Sequence, residues 1–127
     1  MTGAELEAYI LQQEREEWER ERKRAEIKEK IDAHEKILSQ AEAELSQAQS
    51  VFSDASGIAL RLFQQYERNR ACSDGNIAKE YDRVHSVCEK HMEEINGNVS
   101  QMMGAAESSI AYLQSVIDEL WAEYFSI

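Results

Sequence analysis

The sequence contains no proline and only five glycines in 127 residues. Proline breaks or kinks a helix and glycine weakens one, so this scarcity predicts long helices with few interruptions. Turn formers and helix caps are concentrated in one stretch, Arg68 to Asn76. We therefore predict an all-α fold, an antiparallel two-helix hairpin of long coiled-coil-like helices, with its corner here. The second helix should begin within two residues of Asp74, because Ser73, Asp74 and Asn76 are all good N-caps.

Long apolar runs are also missing, and the two cysteines are far apart. No run approaches the roughly 18 residues of a membrane-spanning helix, and the first residues lack the pattern of a signal peptide. Cys72 and Cys88 would lie roughly 24 Å apart along a helix, too far for a disulfide. Reduced thiols favour a cytoplasmic location. Export together with a partner, without a cleaved signal peptide, is the alternative.

Basic residues are scarce, since 14 Lys and Arg stand against 25 Asp and Glu, for a net charge of -11. Binding to nucleic acid depends on neutralising phosphates with Lys and Arg. This charge therefore argues against nucleic acids and anionic membranes as partners. The imbalance is uneven, because residues 14–36 carry nine acids and eight bases, while no Lys or Arg follows Lys90.

Residues suited to catalysis or metal binding form no convincing group. The sequence has no glycine-rich phosphate loop, no nucleophile beside a base and no pair of Glu-x-x-His motifs. His85, Cys88 and His91 are spaced three apart, but they turn through about 120° of a helix, so that only two could reach one ion. A structural zinc site normally needs four ligands. We predict no enzymatic activity, cofactor, metal or small-molecule ligand.

The predicted first helix covers residues 5–70 and starts with a charged extension that overhangs the hairpin by about 20 residues. Acid-before-base pairs at i, i+4 each add about 0.2–0.5 kcal/mol to a helix. They allow the extension to persist without packing, so Trp18 is free to meet solvent or a partner. The pairs are Glu16 with Arg20, Glu19 with Lys23, Glu26 with Lys30, and Asp32 with Lys36.

A heptad seam follows in the same helix and predicts a left-handed supercoil. Cap and breaker residues at Ser53 to Gly57 lie in its middle. The unbroken heptad phase favours one continuous helix, and the alternative is a kink at 53–57 that makes 58–70 a separate short helix. The seam consists of Ile31, His34, Leu38, Ala41, Leu45, Ala48, Phe52, Ala55, Ala59, Leu62 and Tyr66.

The predicted second helix follows a turn at 71–76, spans 77–126 and completes a single domain of 127 residues. Its apolar positions stay on one side for about fifty residues. Flanking apolar side chains make the stripe wider than one neighbouring helix can cover. The stripe consists of Ile77, Tyr81, Val84, Cys88, Met92, Ile95, Val99, Met102, Ala106, Ile110, Leu113, Ile117, Leu120 and Tyr124.

The C-terminal half of this helix is the predicted binding surface. No basic stem shields its apolar side, and large aromatic side chains are typical anchors of protein interfaces. We predict that a helical protein partner or a second copy of the chain binds there, with Trp18 of the first helix contributing. The predicted contact residues are Met102, Met103, Tyr112, Val116, Trp121, Phe125 and Trp18.

Several of these features together resemble the small helical-hairpin proteins of bacterial type VII secretion, in particular the YwqH-like and LXG-toxin-associated helical partners. They are the charged N-terminal coiled coil, the Ala-, Ser- and Gln-rich stretch from Leu38 to Ala55, the mid-chain break and the smooth C-terminal helix. The Trp-x-Gly turn of that family is absent, the nearest string being Ala55-Ser56-Gly57. An aromatic-x-x-x-acid string, Phe63 to Glu67, lies before the corner and not in a C-terminal tail.

The resemblance implies a non-enzymatic partner or targeting chaperone that bundles with the helical domain of a secreted toxin. The alternative function is a self-associating coiled-coil scaffold or adaptor, in which the same apolar face joins two copies. The two hypotheses differ in the partner and agree on the kind of surface.

Overall fold

The computed structural model describes residues 2–127, which form two α-helices. Helix α1 spans Gly3–Ala71 and helix α2 spans Gly75–Ser126. No strand occurs in the described part of the chain. The fold is therefore an all-α helical hairpin, as the lack of proline and the single corner predict.

The first turn of α1 is closed by a capping box. The Glu5 backbone N–H donates to Thr2 Oγ1 at 3.2 Å, and the Thr2 backbone N–H donates to Glu5 Oε2 at 2.9 Å. Two amides that lack partners within the helix are satisfied in this way. The helix consequently begins at Gly3, two residues before the predicted start.

At its other end α1 stops in a turn held by Ser73. The Ser73 hydroxyl donates to the Asn69 carbonyl at 2.7 Å, and its backbone N–H donates to the Arg70 carbonyl at 3.2 Å. Arg68 and Arg70 place positive charge in the last turn, where the helix dipole favours it.

Helix α2 starts immediately after Asp74, within two residues of Asp74 as the caps predict, but two residues before the predicted span of 77–126. The Ala78 N–H donates to the Asp74 carbonyl at 3.4 Å. Gly75 has a φ of 56°, a left-handed conformation that costs glycine no steric energy. The chain can therefore reverse direction here without strain.

The suspected break at Ser53 to Gly57 does not occur. Helix α1 continues through these residues, as the heptad phase favours, and the alternative kink is wrong. A side chain added at Gly57 would meet no atom within 4 Å, so no close contact requires glycine there. One of the features behind the resemblance to type VII secretion partners, the mid-chain break, is accordingly absent.

The residues form two compact units. The terminal unit combines Ile110–Ile127 with α1 as far as Gln40, and the corner unit is Ala41–Ser109. The terminal unit contains Ile27, Ile31 and Ile117, whose exposed fractions are 6%, 0% and 7%. In the corner unit Ala78 is the buried apolar residue among those described.

The charged extension of α1 contributes no buried side chain, although Arg24 at its end donates to the Ile127 carbonyl at 2.6 Å. Every residue from Thr2 to Glu26 is exposed, and burial begins at Ile27. Its salt bridges, such as that from Arg22 Nε to Glu26 Oε1 at 3.9 Å, join residues of the same helix and bury no apolar side chain.

The predicted seam of α1 consists of two rows, of which one faces inward along its whole length, from Ile31 to Tyr66, and the other only in its first half. Ile31 is buried, and Leu38, Leu45 and Phe52 are half-buried, but Leu62 is exposed. Phe63 takes its place on the inner side. Ala48 and Ala55 are exposed as well.

As far as Met102, the predicted stripe of α2 contains two rows of side chains, of which one faces inward. From Ala106 to Tyr124 every predicted position of the stripe is half-buried or buried. The inner row is half-buried or buried and includes Tyr81, Met92, Val99, Ala106 and Ile117. The second row is exposed, which corrects its assignment to the hairpin seam, and neighbouring residues such as Ala78, His85 and Met103 lie inward instead. The exposed row consists of Ile77, Val84, Cys88, Ile95 and Met102.

Candidate functional site

Three aromatic rings of α2 form a cluster at the C-terminal end of the terminal unit. Trp121 stacks on Phe125 with ring centroids 5.6 Å apart, and Tyr124 meets both rings edge-on at 5.4 and 5.3 Å. The two contacts of Trp121 arise because residues three and four apart share one side of a helix. We call Trp121, Tyr124 and Phe125 the aromatic cluster.

A lysine of α1 covers one side of this cluster. Lys28 Nζ lies 4.9 Å from the centre of the Trp121 ring, within the range of a cation–π contact. The same ammonium donates to Asp32 Oδ1 at 2.9 Å, and this hydrogen bond raises the pKa of Lys28. One side of the Trp121 ring is therefore in contact with its own chain.

The predicted contact residues of the terminal unit differ in exposure. Phe125, Tyr112 and Trp18 are 76%, 70% and 60% exposed, and are available to a partner. Val116 and Trp121 are half-buried. The structure brings Trp121 and Phe125 together, while the Trp18 ring lies beside the Arg22 guanidinium at 5.4 Å.

Of the two predicted contact residues in the corner unit, Met102 is available and Met103 is not. Met102 is 72% exposed, whereas Met103 is half-buried. Both methionines lie three or four residues from Val99 and Ala106, so the sequence spacing does not distinguish between them. The packing of α2 decides between them.

The corner unit also contains an open groove between α1 and α2, with a volume of about 490 Å³. Its lining is mostly apolar and aromatic, which is typical of binding clefts. The lining residues are Ala59, Leu62, Phe63, Gln65, Tyr66, Asn69, Tyr81, Val84, His85, Cys88, His91 and Met92. We call this feature the corner groove.

Aromatic packing fixes one end of the corner groove. The His85 ring stacks on Tyr66 with centroids 4.0 Å apart, and meets Phe63 edge-on at 5.0 Å. Tyr81 meets Tyr66 edge-on at 6.2 Å. Four rings from both helices therefore form a rigid boundary, and His85 has a packing role in place of the metal role considered for its sequence motif.

A hydrogen-bond cluster lies behind these rings. The Tyr66 hydroxyl and Arg70 Nε both donate to Asp82 Oδ1, at 2.6 and 3.0 Å. The two bonds, that of Tyr66 first, lower the pKa of Asp82, and the same carboxylate raises the pKa of Tyr66 by favouring its protonated phenol. The cluster ties α1 to α2 close to the corner.

This cluster predicts a pH-dependent contribution to stability. A carboxyl whose folded-state pKa is depressed stabilises the fold above its unfolded pKa and loses that effect as the pH falls through its folded value. We expect the wild type to melt above the Asp82→Asn variant at neutral pH, and the difference to shrink below about pH 3.8, the ordinary value for this group. Melting followed by circular dichroism across a pH series measures this, and a difference independent of pH would contradict it.

The sequence did not lead us to the Tyr66, Arg70 and Asp82 cluster. The heptad spacing predicts Tyr66 in the apolar seam, and Asp82 is not among the predicted site residues. In a hairpin centred on Ser73, in the middle of the predicted turn, Tyr66 would lie opposite residue 80. With the reversal at Asp74, the partner shifts by two residues to Asp82.

Neither a metal site nor a membrane span emerges from the structure. Within residues 2–127 no group of three or more His, Cys, Asp or Glu side chains could hold an ion. His85 and His91 are instead 3.8 and 3.7 Å from glutamates on their own helix. Neither helix, as described, has enough apolar length to cross a bilayer.

Comparison with known proteins adds no relative. The chain matches no protein-family model, no curated protein and no solved structure.

Proposed function

We propose that this protein is a non-enzymatic helical binding module that bundles with a helical partner. The observation that carries the proposal is the ratio of exposed to buried apolar side chains. Ile27, Ile31, Ala78 and Ile117 are the buried apolar residues of the described chain, whereas seventeen large apolar side chains are exposed.

In the corner unit the hairpin buries one row of α2 side chains and leaves the row of Ile77, Val84, Ile95 and Met102 exposed. Exposed apolar side chains in adjacent rows, unlike scattered single ones, mark surfaces that other proteins cover. A third or fourth helix would bury these rows, as in helical bundles. Exposed apolar side chains border the corner groove, and Phe125 adds an exposed ring at the aromatic cluster.

The resemblance to type VII secretion partners supports one form of this function, a targeting chaperone that bundles with the helical domain of a secreted toxin. Two helices in a hairpin and an Ala- and Ser-rich stretch, which permits close helix packing, favour it. The second candidate is a self-associating scaffold or adaptor. The exposure of Phe125 and Tyr112 favours this candidate equally, because a second copy would cover the same rings.

The expected result for the purified chain is association at micromolar concentration. Light scattering should give the mass of a dimer or larger, because an isolated hairpin leaves most of its apolar side chains in water. A heat-stable monomer that binds no dye for exposed apolar surface would contradict the proposed function.

A further inference from the structure

We propose that the corner groove binds one amphipathic helix of a partner protein, and that Lys and Arg flank the apolar stripe of that helix. The inference rests on the proposed binding function and adds to it a site and a partner chemistry. It shares Met102 with the predicted site but otherwise differs from it, because it concerns the corner unit and not the aromatic cluster.

Two rows of exposed apolar side chains border this groove. On α1, Ile58 and Leu62 are four residues apart and share a side of the helix with Val51, one heptad earlier. On α2, Ile95 and Met102 are seven residues apart and continue the row of Val84. Leu62 and Val84 both line the corner groove, so the two rows run along opposite banks of one apolar surface. We call these six residues the groove face; all are 45–72% exposed.

Small residues between the larger ones leave room for a helix to approach. Ala48 and Ala55 continue the α1 row and are exposed, and Ala59 forms part of the groove floor. Between Val84 and Met102, α2 rises roughly 27 Å at 1.5 Å per residue. A single incoming helix of about 18 residues covers this length, and its apolar stripe would contact both rows.

The charges of the corner unit select the partner. Residues 41–109 contain eleven Asp and Glu against six Lys and Arg, which leaves a net charge of -5. All six bases lie between Arg61 and Lys90, so residues 41–60 and 91–109 carry six acids and no base. Val51, Ile58, Ile95 and Met102 lie in these base-free stretches.

This distribution of charge favours binding of a basic partner over binding of a second copy of the chain. Two corner units would bring like charges together, whereas Lys and Arg beside the incoming stripe would be attracted to acids such as Glu44 and Glu94. The bases of the partner should lie over the end of the groove face that is far from the corner.

The test uses the full chain and two synthetic peptides of about 20 residues with identical apolar stripes, one flanked by Lys and the other by Glu. Fluorescence anisotropy gives their affinities. We expect the Lys-flanked peptide to bind at least ~10-fold more tightly at low salt, and this preference to shrink as salt shortens the screening length from ~30 Å at 0.01 M to ~8 Å at 0.15 M.

Two aspartate variants locate the site. Ile58→Asp places a charge among the apolar side chains and should weaken binding of the Lys-flanked peptide at least ~10-fold. Leu60→Asp is the matched control, because Leu60 is 59% exposed against 51% for Ile58 and points away from the groove face. It should change the affinity less than ~2-fold.

The outcomes separate this inference from the proposed function. Equal effects of the two variants overturn the groove assignment, and no preference between the peptides overturns the partner chemistry, while binding itself stands in both cases. A dimer of the chain that Ile58→Asp dissociates makes a second copy the occupant and overturns the partner chemistry. If neither peptide binds and the chain is a monomer, the proposed function fails as well.

Discussion

The free energy of unfolding is expected to fall by about 2–4 kcal/mol when Ile31 is replaced by alanine. Ile31 is 0% exposed and is the one fully buried large side chain of the described residues. Removing it deletes buried methyl groups and leaves a cavity beside Ile27 and Ile117, which are the other buried residues of the terminal unit. Because the chain has so few buried side chains, this loss is a large part of its stability.

Urea denaturation followed by circular dichroism at a fixed protein concentration measures the effect. Ile37→Ala is the control, since Ile37 belongs to the same helix but is 53% exposed, and it should cost less than about 0.5 kcal/mol. If Ile31→Ala does not fold, Ile31→Val should still fold, at a cost of about 0.5–1.5 kcal/mol. Equal losses for Ile31→Ala and Ile37→Ala would show that the burial of Ile31 does not support the hairpin.

Replacing both Trp121 and Phe125 by alanine is expected to weaken association by about 2 kcal/mol or more, close to 30-fold in the dissociation constant. Large aromatic side chains supply much of the energy of protein interfaces, and Phe125 exposes 76% of its surface. Light scattering over a dilution series measures the change, and circular dichroism checks that helical content remains.

The single variants divide this effect into two parts. Phe125→Ala should weaken association with little change in melting temperature, because its ring is mostly in solvent. Trp121→Ala should also destabilise the single chain by about 1 kcal/mol, since it removes the Lys28 contact and two ring contacts. Leu60→Ala, exposed in the other unit, serves as the control. Unfolding of the Phe125→Ala variant would assign that ring to the core of its own chain, and unchanged association would exclude it as an anchor.

The fold could be predicted from the sequence because its signals are local. A proline-free chain with one cluster of caps leaves little choice other than two long helices, and the start of α2 followed from the caps at Ser73 to Asn76. The limits of helix α1 were missed by two residues at Gly3, where a capping box with Thr2 extends the helix.

The site was harder to predict because it depends on packing between helices. Spacings of three and four residues fit Met102 as well as Met103, and only the orientation of α2 shows that Met102 is exposed. The width of the α2 stripe did indicate that some of its apolar side chains would not pack against α1. Which residues of α1 stand opposite that row depends on the hairpin register, which a one-residue error at the corner shifts by two positions.

The hydrogen bonds between the two halves of the hairpin join residues that lie at very different distances along the sequence. Tyr66 and Asp82 are 16 residues apart, whereas Arg24 and Ile127, also joined by a hydrogen bond, are 103 apart. The entropy cost of closing a loop grows with its length, so the hydrogen bonds beside the corner form first and shorten the loop for those that follow. The early contacts enclose little apolar surface, because Ala78 is the buried residue of the corner unit. We therefore expect Ile31 to become buried after the corner has formed, and the hairpin to gain much of its stability late in folding.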